Sequence, residues 1–241
     1  MIPGATAEFV CGMEEVLDVY ERPYEESHPV VCLDEWPHQL ISETRSSFMD
    51  KGVKHVDYEY RREGVADIFM IAEPKGGKRF VLLKDAHNSH QWAKVIAFVA
   101  EKLYAKAERI TLVQDNLSAH RKAALYEVFE AERARSILKR IEFVYTPKHG
   151  SWLNMAEIEL SVLNRVALKE RIKSKQQLQR QINMYLKEKN KTAVQINWQF
   201  TTKDARTKLK KLYRKSNLER TLGISDYYSF ILLFKIARND I

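Results

Sequence analysis

The chain has 241 residues, 45% of them hydrophobic and 30% charged. That length supports a real core, so wholesale disorder, collagen-like repeats and a disulfide scaffold are excluded. The net charge of +8 is uneven: residues 1–60 hold four Lys/Arg against 13 Asp/Glu, whereas residues 165–215 hold 16 basic and three acidic residues.

Residues 1–29 are acidic and broken by Pro3, Pro23 and Pro29. Phe9, Val10, Met13, Val16 and Leu17 recur at helical spacing, which predicts a helix over 7–19 followed by a linker. Residues 30–33 are nearly all apolar and run into Asp34 and Glu35, which reads as a short buried strand with acids at its C-terminal end. Residues 55–61, 66–72 and 80–83 read as antiparallel strands, punctuated by Pro74 and the Gly76-Gly77 turn.

From His90 the period changes. Trp92, Val95, Ile96, Val99, Leu103 and Tyr104 predict a helix over 90–107. A second buried strand follows at 110–113 and ends at Asp115-Asn116. Residues 120–138 read as a charged helix, 141–145 as a strand, and 152–168 as a helix. Two more helices are expected at 174–190 and 202–213, the last behind a cap at Thr201 with Asp204 three residues on. Antiparallel strands followed by alternating helices and strands predict an α/β fold, a mixed sheet covered by helices.

Cys11 and Cys32 lack metal-ligand spacing and read as free thiols. The N-terminus lacks the basic and apolar regions of a signal peptide. The longest apolar run, at 227–234, is far shorter than the ~20 residues that span a bilayer, so no membrane partner is expected. The basic segment at 165–215 has the electrostatic footprint of a nucleic-acid contact. A solvated helical face is the competing reading.

Two predicted strands end in a carboxylate, at Asp34 and Asp115, where ligand sites of open α/β sheets lie. A third acid, Glu157, sits in an apolar stretch with Trp152, Leu153, Met155 and Ala156. Three converging carboxylates need a compensating cation, and oxygen ligands suit Mg²⁺ or Mn²⁺. Glu159 competes with Glu157. Two positions is about 200° around a helix, so one site takes only one of them. Glu35 faces away from Asp34 if the strand continues through both. Turn capping by the aspartates and simple exposure of the glutamate are the plainer alternatives.

VVCLDE at 30–35, YEYRREGVADIFMIAEP at 58–74, LVQDNLSAH at 112–120, TPKHGSWLNMAEIELSVL at 146–163 and FTTKDARTKLKKLY at 200–213 resemble the bacterial insertion-sequence transposases of the mariner-like DDE superfamily. The resemblance covers about residues 5–213. It implies an RNase H-like mixed sheet with extra C-terminal helices, and Mg²⁺- or Mn²⁺-dependent DNA cleavage and strand transfer with two ions expected. Catalytic and metal-holding roles fall on Asp34, Asp115 and Glu157, since Leu153-Asn154 matches the family's Leu-Asn pair ahead of its glutamate. Asn116 and His120 match motif positions and are expected to support the site. Lys148, His149, Trp152, Arg165, Lys169, Arg171, Lys173 and Lys175 are the expected DNA contacts.

The expected division is an N-terminal helix and linker at 1–29, a catalytic domain at 30–213 and an atypical tail at 214–241. Expected partners are double-stranded DNA, as transposon ends and target, and a second copy of the chain as a homodimer. The expected location is the bacterial cytoplasm at the nucleoid. Forty-one residues separate Asp115 from Glu157. That is longer than the superfamily's commoner spacing, and the extra length is ascribed to the charged helix at 120–139. The family's N-terminal helix-turn-helix reader has no counterpart here. The alternative is therefore an inactive remnant that binds DNA or a full-length transposase without catalysis.

Overall fold

The computed structural model describes residues 6–45, 48–55 and 58–213, so the tail assigned to 214–241 lies outside the described residues. A five-stranded mixed sheet orders the domain. Its strands are β1 (Val30–Glu43), β4 (Tyr60–Glu73), β5 (Lys78–Lys84), β6 (Ile110–Gln114) and β7 (Ile141–Tyr145), in the spatial order β5-β4-β1-β6-β7. β5, β4 and β1 pair antiparallel, whereas β1, β6 and β7 pair parallel. A separate hairpin joins β2 (Phe48–Asp50) to β3 (Val53–His55). This is the α/β class expected from the order of elements, in the RNase H-like arrangement.

The strand period of two sorts the core into two layers. Cys32, Ile68, Met70 and Val113 face one side, under helices α1 (Ala7–Glu21), α5 (Met155–Ala167), α6 (Lys175–Thr192) and α7 (Thr202–Lys208). Val31, Leu33, Phe69, Ile71 and Leu112 face the other, under α2 (Ser89–Phe98), α3 (Ala124–Val128) and α4 (Ala131–Arg140). Each helix docks an apolar stripe: Met13, Val16, Leu17 and Tyr20 of α1, and Leu178, Ile182 and Tyr185 of α6, are buried. The cap read at Thr201 forms, with both capping-box bonds to Asp204 present. No described helix is long and apolar enough to cross a membrane.

Three expectations are corrected. β1 does not stop at Asp34 but continues to Glu43, because β4 supplies an antiparallel partner from Cys32 to Glu43. β6 pairs with β1 only as far as Cys32, so the rest of β1 is an edge, where Pro37 is tolerated. The strands read at 55–61 and 66–72 give way to β4, with residues 56–57 undescribed and a register shift opposite Leu40/Ile41. Gly64 (φ 129°) adopts at that shift a backbone that L side chains rarely take. Finally, the helix read over 120–138 is broken. Phe129 turns extended (φ −127°, ψ 156°), with Arg133 stacked 4.2 Å over its ring, and His120 lies in a loop ahead of α3.

Candidate active site at the carboxyl edge of the sheet

β5, β1, β6 and β7 run the same way, so their carboxyl ends share one edge of the sheet. The parallel register, Cys32 opposite Val113, brings Asp34 level with Asp115 just past the end of β6. Glu157 lies in the first turn of α5. That turn is fastened by Asn154, whose side-chain oxygen caps the helix at the Ala156 N–H. Its Nδ2 donates to the Leu33 carbonyl at 2.9 Å, one residue before Asp34. A single buried side chain thus ties the helix start to the strand.

The carboxylates feel one another. Asp34 is pushed up to about 8, first by burial, then by the charge of Glu35, with Asp115 and Glu157 adding to it. Oε2 of Glu35 and Oε2 of Glu157 are buried with no hydrogen-bond partner among the described residues. Buried orphan carboxylate oxygens are costly and call for a compensating partner. Among the described residues, the ligand atoms that come within 4.8 Å of one another are those of Glu35, Asp115 and His120; Asp34 and Glu157 are near enough for charge to act between them but do not join that group. Carboxylate oxygens are the donors that Mg²⁺ or Mn²⁺ prefers.

Glu159, the competitor on α5, is engaged elsewhere. It is 1% exposed and pairs with Arg79 of β5 at 2.9 Å. Two residues of helix turn it away from Glu157, and Asp34 responds to the charge of Glu157.

Strand periodicity turns Glu35 away from Asp34, and there the structure gives it a partner. It does lie on the face opposite Asp34, with Leu33. There its Oε1 meets His120 Nε2 at 3.0 Å. The other ring nitrogen, Nδ1, lies 2.6 Å from Asp115 Oδ1 and makes its aligned hydrogen bond to the Asp115 backbone carbonyl at 3.1 Å. Burial pulls His120 down, but Asp115 and Glu35 outweigh it and hold the imidazole up at about 10. Ligand atoms of Glu35, Asp115 and His120 all lie within 4.8 Å of one another. The signal for this trio was present as an acid directly after Asp34 and a histidine five residues after Asp115.

The expected DNA contacts fall into two groups. Lys148 and His149 are exposed on the β7–α5 loop, beside the carboxyl edge, with His149 at φ 65°. Trp152 follows them, but its ring packs on the core, edge-on to Phe200 at 6.0 Å. Asn116 is exposed in the turn after Asp115. Arg165, Lys169, Arg171 and Lys173 lie beyond, at and after the C-terminal end of α5. The Ile172 carbonyl accepts from Ile41 N, seven residues and roughly 23 Å along β1 from Asp34. Arg171 stacks over Tyr60 at 5.7 Å, and Lys175 pairs with Asp85 at 2.5 Å. Part of the basic segment is neutralised within the fold, since Arg206 pairs with Glu14 of the acidic first helix at 2.8 Å.

A family model described as "DDE superfamily endonuclease" matches residues 29–179. Among solved structures, the chain is similar to the Mos1 mariner paired end complex with Mn, with TM-score 0.52 and 16% identity over 80% of this chain and 59% of that one. The Mos1 transposase paired-end complex with left transposon end gives 0.51 and 15%, over 80% and 62%. The Mos1 strand transfer complex gives 0.51 and 15%, over 79% and 60%. At such identities the likeness is one of fold. The chain spans about three fifths of the length of these proteins. No curated protein matches it.

Proposed function

Because the chain belongs to the DDE superfamily endonucleases, we propose that it is the catalytic domain of a mariner-like transposase of a bacterial insertion sequence, cutting DNA strands and transferring them. What supports this reading is that Asp34, half-buried at the carboxyl edge, feels the charges of Asp115 and Glu157, and that a buried Glu157 oxygen lacks a partner among the described residues. Asp34, Asp115 and Glu157 would hold divalent ions. When bound, such ions would generate a nucleophile at neutral pH and stabilise the leaving oxygen of an in-line phosphoryl displacement.

The chain's own residues do the rest. Asn154 fixes where Glu157 stands relative to Asp34. Lys148 and His149, exposed on the loop after β7, would take phosphates flanking the scissile one. Arg165, Lys169, Arg171, Lys173 and Lys175 extend that contact along the duplex. In this scheme residues 30–213 are the catalytic unit, 1–29 its leading helix and linker, and 214–241 a tail. The substrates are double-stranded transposon ends and target DNA, handled by two copies of the chain at the cytoplasmic nucleoid.

Incubation of the purified chain with supercoiled plasmid tests the reading. Nicking is expected with Mg²⁺ or Mn²⁺, not with EDTA, and not with Asp115→Asn under any ion. DNA binding without metal-dependent nicking would instead support a non-catalytic remnant.

Binding itself is expected to be salt-sensitive and nearly blind to sequence. If about six Lys/Arg engage phosphates, log K should fall against log[salt] with a slope of about −5. Fluorescence anisotropy on two unrelated duplexes between low and moderate salt measures this. A slope near zero, or a strong preference for one duplex, would contradict it.

A further inference from the structure

Asp115 lies one residue past the last ladder position of β6, and residues 116–118 after it are exposed. No strand pairing fixes its carboxylate, whose direction is set by what touches it. The contact is His120, whose Nδ1 faces both the Asp115 side chain, at 2.6 Å, and its backbone carbonyl, at 3.1 Å. The same ring turns its Nε2 to Glu35 at 3.0 Å. The imidazole and the Glu35 carboxylate are 1% and 5% exposed. The Nε2 contact is a hydrogen bond to a carboxylate, and the Nδ1 contact to Asp115 Oδ1 is an ion pair. The ring stands between the two acids, and an ion between them would have to displace it.

His120 is itself locked. Its ring stacks on Trp92, with centroids 5.7 Å apart and planes 22° from parallel. The Trp92 indole N–H donates to Gln114 Oε1 at 2.9 Å, and Gln114 is the last residue of β6, directly before Asp115. Asp115 is thereby gripped from β1, through Glu35, and from α2, through Trp92.

We propose that Glu35 and His120 are positioning residues, a buried clamp that fixes the direction of the Asp115 carboxylate, so that this acid meets a divalent ion already oriented. This rests on the metal-binding reading above. Partners that orient metal-holding side chains typically contribute 10–100-fold to metal affinity or activity.

Mn²⁺ binding to the full chain, followed by electron paramagnetic resonance of free Mn²⁺ and by melting-temperature shift, tests it without DNA. His120→Phe keeps the ring stacked on Trp92 and removes both nitrogens. Glu35→Ala removes the far anchor, and Glu35→Gln keeps an acceptor for Nε2. His120→Phe and Glu35→Ala are expected to weaken Mn²⁺ binding by about 10–100-fold. Glu35→Gln should stay within about threefold of wild type. The double variant Glu35→Ala/His120→Phe should be no weaker than His120→Phe alone, because the two act in series. Melting in EDTA identifies any variant that fails to fold, and Glu35→Gln/His120→Phe, which leaves no unpaired buried charge on Glu35, then takes its place. Wild-type affinity in folded His120→Phe and Glu35→Ala overturns the clamp alone. Absence from the wild type of any Mn²⁺ site that Asp115→Asn removes overturns the metal reading, and the clamp with it.

Discussion

Asp34→Asn is expected to raise the melting temperature of the metal-free protein at pH 8 by about 5 °C, while reducing metal-dependent nicking to the EDTA background. The Asp34 carboxyl is held at about 8, by burial first and then by Glu35, Asp115 and Glu157. An unfolded chain releases that proton near 4. Between about pH 4 and 8 the folded protein therefore keeps a proton that the unfolded one has lost, and stability falls as pH rises. His120 acts in the same direction over a higher window. Its folded value is about 10 against about 6.5 unfolded, so its contribution is full below 6.5 and lost as pH climbs toward 10.

Asparagine has no proton to hold. The gain from Asp34→Asn should be near zero at pH 4 and grow to about pH 8. Because the carboxyl is not fully enclosed, about 2 kcal/mol is a reasonable size, or about 5 °C for a domain this large. Melting curves in EDTA at pH 4, 6 and 8 measure it. Added Mg²⁺ should reverse the order at pH 8, stabilising wild type by mass action and leaving the variant nearly unchanged. A variant that melts below wild type at pH 8 in EDTA would show that Asp34 supports the fold and does not strain it.

Arg79→Met is expected to cost about 3–5 kcal/mol and about 10 °C. The Arg79 side chain is 2% exposed. It joins β5 to α5 through Glu159 at 2.9 Å, and donates to the carbonyls of Gly77 at 2.9 Å and Val194 at 2.6 Å. Its backbone exchanges two hydrogen bonds with Asn190 of α6, at 2.8 and 2.7 Å. Removing the guanidinium leaves a buried carboxylate unpaired and two carbonyls without this donor. The cost is that of the orphaned acid more than of the lost attraction, so Arg79→Met/Glu159→Met should recover most of it. Urea unfolding of the two variants decides this. A double variant as unstable as the single would show that the carbonyl bonds dominate.

The order of strands and helices was legible because each element carries its period locally, as in the buried stripe of α1 and the capping box at Thr201. The length of β1 was not. Asp34 and Glu35 interrupt an apolar run, and only the pairing with β4, more than twenty residues away, shows that the strand passes through them. Two other misreadings have the same origin. Helical spacing continues through Phe129, yet the ring is used as a seat for Arg133 and the helix breaks there. Strand periodicity correctly turned Glu35 away from Asp34. It gave no hint that a loop would bring His120 to that face, and through it Asp115. Trp152 stood among the expected contacts because it lies in the loop ahead of Glu157, while Phe200, far along the chain, packs against it.

Asn154 has a consequence for how this chain tolerates changes of length. Its hydrogen bond to the Leu33 carbonyl anchors the beginning of α5, three residues ahead of Glu157, to the central strand. A residue added or lost in the loops around α3 and α4, after His120, leaves the glutamate in its place. A residue added between Asn154 and Glu157 has no such slack, since it rotates the acid by about 100° around the helix and shifts it by about 1.5 Å. Within the forty-one residues between Asp115 and Glu157, it is therefore the loops around α3 and α4 that are free to vary in number. The three-residue step from Asn154 to Glu157 is not.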